Sequence, residues 1–248
     1  MTFKHLPKAA VVVAVAGAVA LCGMFMSSPR VHADDNQDLV AIGFEIAPVE
    51  LNLTGKDPNL VGWGSFIVNA EADCNGCHTA SPMGTEYGST SASNNPYLLF
   101  PNRPPWRVQA KYYLGGGENF GPAGPGISSG VYDSSAFGPG LGPNTIARNL
   151  TPDYTGLPEG GHTLAQFLTI MQTGHDYDTL HLNCGGSVTT NCYSAPVNGA
   201  VLQIMPWPTF SHMTVQQLTA IWTYLSAIPC IANTGSVYQN LINVCPTS

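Results

Sequence analysis

The chain is predicted to be all-α, its helices interrupted by one long loop-rich insertion, and three observations carry that prediction. Thr163-Leu164-Ala165-Gln166 and Thr214-Val215-Gln216-Gln217 share one pattern. In each, a Thr is followed three residues later by a Gln and then by apolar residues at helical spacing, the form of a capping box. A third helical segment, 58–73, follows the N-cap candidate Asp57, with Pro58 early in the helix and Asn59 a second candidate. Between these segments, residues 79–161 are dominated by Gly, Pro, Ser and Asn, as in Gly115-Gly116-Gly117 and Gly138-Pro139-Gly140-Leu141-Gly142-Pro143. That stretch has neither helical nor strand periodicity.

Taken in chain order, residues 1–33 read as a Sec-type signal peptide. Lys4 and Lys8 form its basic start, Ala9 to Leu21 its apolar core, and Val31-His32-Ala33 a small-x-small site cut after Ala33. The competing expectation is an uncleaved anchor, because the apolar run through Met26 is just long enough to span a bilayer. Leu21 is too bulky for lipoprotein processing at Cys22. Residues 34–57, with Asp34, Asp35, Asp38 and Pro48, are expected to be a flexible lead-in or an arm lying on the domain. The main domain then runs over 58–230. In 58–73 the spacing puts Trp63, Phe66, Ile67 and Ala70 on the apolar face.

Low-complexity disorder is one reading of the 79–161 insertion, but Tyr97, Trp106, Tyr112, Tyr113, Tyr132 and Phe137 are interleaved in it and favour another. They imply loops packed on something apolar, with a short hairpin near 107–132. The helix after Thr163 runs to Thr173 with Leu164, Phe167, Leu168 and Met171 inward, and Gly174 ends it. The last helix carries the stripe Leu218, Ile221, Trp222 and Leu225 and stops before Pro229. Residues 231–248 form a tail stapled by a disulfide.

The chemistry lies in Cys74-Asn75-Gly76-Cys77-His78, a Cys-x-x-Cys-His pattern. It matches covalent c-type haem attachment: two thiols bond two vinyl groups of one haem, and the adjacent imidazole reaches the iron from one face. The competing readings are a zinc half-site and a thioredoxin-like dithiol. The following His and the export signal favour haem. Without Cys22, four further cysteines remain: Cys184, Cys192, Cys230 and Cys245. Their spacing points to the local bridges Cys184–Cys192 and Cys230–Cys245, with the two other pairings still open.

Charge is scarce. The chain without 1–33 has five basic residues against fifteen acidic ones, a formal charge of −10. Nucleic acid and anionic membrane surfaces are disfavoured as partners, and a basic redox protein is favoured. Membrane contact is expected only through a partner or an uncleaved signal anchor. His175-Asp176, Asp178 and His181 look like a metal cluster but read better as a solvated loop, and Asn149-Leu150-Thr151 reads as a turn rather than a glycosylation site. Arg148 is positioned to pair with a haem propionate. Met83, Met171 and Met213 read as core.

Several blocks together resemble the class I cytochrome c domain, in its larger monohaem form related to the cytochrome modules of bacterial alcohol and sugar dehydrogenases. They are Gly64-Ser65-Phe66-Ile67-Val68-Asn69-Ala70, Asp73 through Thr79, Ala147-Arg148-Asn149-Leu150-Thr151-Pro152-Asp153, Met205-Pro206-Trp207-Pro208-Thr209-Phe210 and Leu218 through Pro229. The resemblance implies cytochrome c-like helices wrapped around one covalent haem c, with the helix before Cys74 crossing the C-terminal helix around Trp222. It makes Met205 the axial ligand opposite His78, an assignment that Pro206 and Pro208 favour by stiffening the loop. The implied function is a periplasmic electron carrier, free or as a dehydrogenase subunit. The alternative is a haem enzyme or small-ligand sensor with an open sixth iron position. The long insertion and the four extra cysteines depart from the compact family pattern.

Overall fold

The computed structural model describes residues 34–79, 110–117, 119–122, 143–178, 183–185, 192–193, 198–233 and 243–247. Residues 1–33, expected to be a signal peptide, and most of the 79–161 insertion, with Met83, Tyr97, Trp106, Tyr132 and Phe137, lie outside them, as does His181. The chain divides into Met1–Asn36 and Gln37–Ser248. Of the first unit only the opening of one helix is described; the core and the cleft belong to the second.

The protein is helix-rich with little strand. Its helices are α1 (Asp34–Ile46), α2 (Pro58–Phe66), α3 (Cys74–His78), α4 (Pro158–Gly161), α5 (Leu164–Thr173), α6 (Trp207–Phe210) and α7 (Val215–Leu225). A π-helical turn, Ile67–Glu71, continues α2 toward α3. Two short strands, β1 (Asn119–Pro122) and β2 (Asn144–Ile146), pair antiparallel with an irregular register. The hairpin expected near 107–132 falls largely outside the described residues; within that range, 119–122 pairs with 144–146. Residues 34–46, expected to be a flexible lead-in or an arm lying on the domain, form α1, which meets α2 through Gly43, whose carbonyl accepts from Ser65 Oγ at 2.6 Å.

The caps form as their residues dictate. Asp57 accepts from the Asn59 amide at 2.9 Å, with Pro58 opening α2. Thr163 and Gln166 close a full capping box on α5, and Thr214 and Gln217 close one on α7. Gly174 ends α5 in the left-handed conformation.

The core forms where α2 and its π turn cross α7. Val61, Ile67, Val68, Leu218, Tyr224 and Leu225 are buried together, with Tyr113 and Leu114 from the insertion. Burying each large side chain of this set is worth about 1.5–3 kcal/mol. The crossing is centred on a backbone contact: a Cβ added to Gly64 would lie 2.0 Å from the Ala220 carbonyl oxygen and 2.8 Å from Tyr224 Cβ. The contact falls at Ala220 and Tyr224, on either side of Trp222 as expected, while the Trp222 indole donates to the His162 carbonyl at 3.1 Å. Of the expected face of 58–73, Ile67 is fully buried and Trp63 packs against the core, whereas Ala70 is exposed; Val61, Gly64, Ser65 and Val68 widen the buried face. Gly64 and Ser65 are small, so apolar bulk alone does not find them.

Both local disulfides are present, Cys184–Cys192 and Cys230–Cys245. Asn149 is buried, with Oδ1 accepting from the Thr151 amide and hydroxyl and Nδ2 donating to the Ile231 carbonyl at 2.8 Å, so it is a turn residue. Among the described residues no helix is long and apolar enough to cross a membrane. Because the contact at Gly64 is backbone against backbone, Gly64→Ala is expected to cost at least about 3 kcal/mol, the upper range of overpacking. A urea midpoint within error of the wild type would refute that contact.

Candidate functional site

The polar anchoring of α3 begins in the core. Tyr113 and Tyr224, both buried, bring their hydroxyls to 2.7 Å of each other. Tyr113 donates to Asn69 Oδ1 at 2.6 Å, and Asn75 Nδ2 donates to the same atom at 2.9 Å. Thr79 Oγ1 donates to Asn75 Oδ1 at 3.2 Å and accepts from the Leu114 amide at 2.9 Å. One hydrogen-bonded chain therefore ties both ends of α3 to the α2–α7 crossing. Burial pushes the Tyr113 phenol well above its ordinary range, with the neighbouring Tyr224 adding to the shift, so it acts as a neutral donor.

Spacing i, i+3, i+4 puts Cys74, Cys77 and His78 on one side of the short helix. All three line a cleft of about 1370 Å³ of atom-free space, solvent at its mouth included. Apolar side chains dominate its walls: Ile146, Leu150, Phe167, Met171, Ile221 and Leu225. Polar residues among the walls include Arg148, Glu159, Asp176 and Tyr193. Met205 lines the same cleft between Ile204 and Pro206. Ile204 sits at φ 67°, a rare conformation for a β-branched residue, and the Met205 amide donates to Gln203 O at 2.7 Å. The structure thus brings all four expected site residues to one cavity.

The imidazole is oriented by backbone. His78 Nδ1 lies 2.8 Å from the Arg148 carbonyl oxygen and donates to it, which leaves Nε2 as the ring's acceptor. Gly116 makes this approach possible: its amide donates to the His78 carbonyl at 2.8 Å, and its φ is 71°. A Cβ there would lie 2.5 Å from the Arg148 carbonyl carbon. Burial lowers the His78 pKa, favouring the neutral ring. Burial, Asp73 and Cys77 push the Cys74 thiol up to about 12, so at neutral pH it is not a thiolate. That is the reverse of an activated Cys-x-x-Cys dithiol, whose attacking thiol has a depressed pKa.

Arg148 has three acidic neighbours. Its guanidinium bonds Asp176, lies 2.6 Å from Asp178 and 3.9 Å from Glu159. Burial works against its charge, but Asp176, Glu159 and Asp178 outweigh it and raise the pKa. Arg148, expected to serve a propionate, is flanked by three carboxylates of the chain itself. The loop 175–178 is solvated as expected at His175, Tyr177 and Asp178, while Asp176 is half-buried by its bond to Arg148. Glu159, buried at φ 53°, also reaches His162 Nδ1 at 3.1 Å. These carboxylate partners were not legible in sequence, because they join segments about ten and thirty residues apart. Among the described residues, no three His, Cys, Asp or Glu side chains are grouped to hold a metal ion. Met171 is buried and Met213 packs against the core, while His212 is exposed.

No family model, curated protein or solved structure matches the chain.

The tyrosine network and the His162 pair can each be tested. Tyr113→Phe and Tyr224→Phe should each cost about 1–2 kcal/mol, and the double variant less than their sum, because they share one hydrogen bond. Strict additivity in denaturant melts would sink the network. For His162, burial lowers the pKa, but the hydrogen bond and charge of Glu159 and the charge of Asp178 outweigh it, so the net shift is upward. A raised histidine pKa contributes stability that is present below the unfolded value and lost as pH rises through the folded one. His162→Gln should therefore lower Tm more at about pH 5 than at about pH 8.5. An equal deficit at both would count against the pairing.

Proposed function

We propose that this chain is a monohaem c-type cytochrome of the class I kind that carries single electrons between redox proteins in the periplasm. The observation that carries the reading is the His78 Nδ1 bond to the Arg148 carbonyl, 2.8 Å long, on a ring whose neighbours Cys74 and Cys77 line the same apolar cleft. A metal-bound histidine characteristically donates its other ring nitrogen to a carbonyl or carboxylate, which fixes its tautomer and raises its basicity. The residues fit the group. Cys74 and Cys77 supply two thiols from one side of α3, His78 an imidazole and Met205 a thioether, the ligand set of a high-potential haem.

When bound, haem c supplies a one-electron ferric–ferrous couple. The chain's residues do the rest. Cys74 and Cys77 would hold the group by thioether bonds, and Arg148 O would keep Nε2 of His78 free for the iron. The apolar walls lower the local dielectric and exclude water, which favours the less charged reduced state. Two protein ligands leave no iron position for a substrate, so docking and potential set the function. The scarcity of basic residues supports a partner that presents a basic surface. The two disulfides are consistent with export to an oxidising compartment. Cys74 and Cys77 stand outside both.

The test is to express the whole chain in a host able to attach haem c and record mass and spectra. The expected product carries one covalent haem and a weak long-wavelength sulfur-to-iron band in the ferric state, lost in Met205→Ala. Two alkylatable thiols at Cys74 and Cys77 in the exported protein would overturn the haem assignment. A high-spin spectrum indifferent to Met205→Ala would overturn the carrier reading in favour of an open iron site.

A further inference from the structure

Arg148 stands at the junction of the two walls of the cleft. On one side its carbonyl oxygen holds His78 Nδ1, while Gly116, against the same backbone, donates to the His78 carbonyl at 2.8 Å. On the other its side chain grips the segment after α5: Asp176 through Nη2 and Asp178 through Nη1 at 2.6 Å. The Asp178 amide donates to Asp176 Oδ1 at 3.0 Å, so both carboxylates belong to one rigid turn.

That turn is stitched to the chain leading into Met205. The Asp176 amide donates to Ala200 O at 3.1 Å, Leu202 N donates to Gly174 O at 2.8 Å, and His175 and Val201 form an antiparallel bridge. Gln203 then locks the step to Met205, its side chain donating to Asn198 O at 2.8 Å and its carbonyl accepting from the Met205 amide at 2.7 Å. Covalent and hydrogen bonds therefore run from His78 through Arg148 and Asp176 to the Met205 segment.

We infer that the ion-pair cluster of Arg148 with Asp176 and Asp178 is a clasp that sets the separation of the cleft walls, making both aspartates positioning residues for His78 and Met205. Neither aspartate needs to touch a ligand. Because the guanidinium is little exposed, the bond is poorly replaced by water. Among the described residues, Glu159 at 3.9 Å from the guanidinium and His162, itself 3.9 Å from Asp178, also face the clasp. The inference rests on the haem reading for the roles of His78 and Met205, but the mechanical link does not.

The experiment uses the mature holoprotein and Asp176→Asn/Asp178→Asn, which keeps shape and removes charge. Amide hydrogen exchange is expected to speed at least about tenfold in peptides covering 74–79 and 200–206 together. Added imidazole should displace Met205 with an affinity raised about tenfold, followed by loss of the sulfur-to-iron band. Arg148→Lys should restore part of the protection relative to Arg148→Met. Acceleration confined to 174–178, or unchanged imidazole affinity, would overturn the clasp. If the double variant does not fold, Asp178→Asn alone, its side chain 32% exposed, is judged by the same readouts. If the wild type carries no covalent haem, the function proposed above fails, and exchange in 74–79 and 200–206 alone decides whether the clasp exists.

Discussion

The fold hangs on a place where no side chain stands. Gly64 lets α2 approach α7 until backbone meets backbone at Ala220. Packing energy then comes from Val61, Val68, Leu218 and Leu225 around the contact, each of which needs that close approach to be fully covered. The position of α3 is inherited from the crossing, through the π turn and through the Tyr113, Asn69 and Asn75 hydrogen bonds. Moving the helices apart would both open the core and tilt the cysteines and His78 away from the cleft.

Polar groups are admitted to this interior in two ways. The tyrosine–asparagine chain is neutral and saturated, so its burial is compensated bond by bond. The Arg148 cluster is charged, and compensation there is by excess: three carboxylates face one guanidinium, with His162 beside them. Buried ion pairs of this kind contribute little net stability compared with apolar packing but fix geometry firmly. The cleft thus joins an apolar wall to a charged edge.

Local chemistry was legible in the sequence, while long-range geometry was not. Asp57, Thr163 and Thr214 announce their helices because a cap is satisfied within four residues. The four cysteines announce their pairing because each bridge closes a short loop. Cys74, Cys77 and His78 are readable because the chemistry demands that spacing. By contrast, nothing near Gly64 in sequence reveals Ala220, and nothing near Arg148 reveals Asp176 or Asp178. The carbonyl that orients His78 is invisible in principle, since every residue has one. Helix α1 escaped because its contact runs through Gly43, which has no apolar side chain to count.

The π turn at Ile67–Glu71 has a consequence for how this chain tolerates change. A π turn holds one residue more than the α turn it replaces. Each residue of an α-helix advances the chain by about 100°, so this extra residue sets the angular phase of Cys74 relative to α2. Deleting a single residue here would leave every hydrophobic contact of α2 available yet turn the Cys-x-x-Cys-His face by roughly a quarter of a circle. Beyond the packing of Ile67 and Val68 and the bonds of Asn69, the segment is therefore intolerant of a one-residue change in length, a reading-frame constraint written in helix geometry.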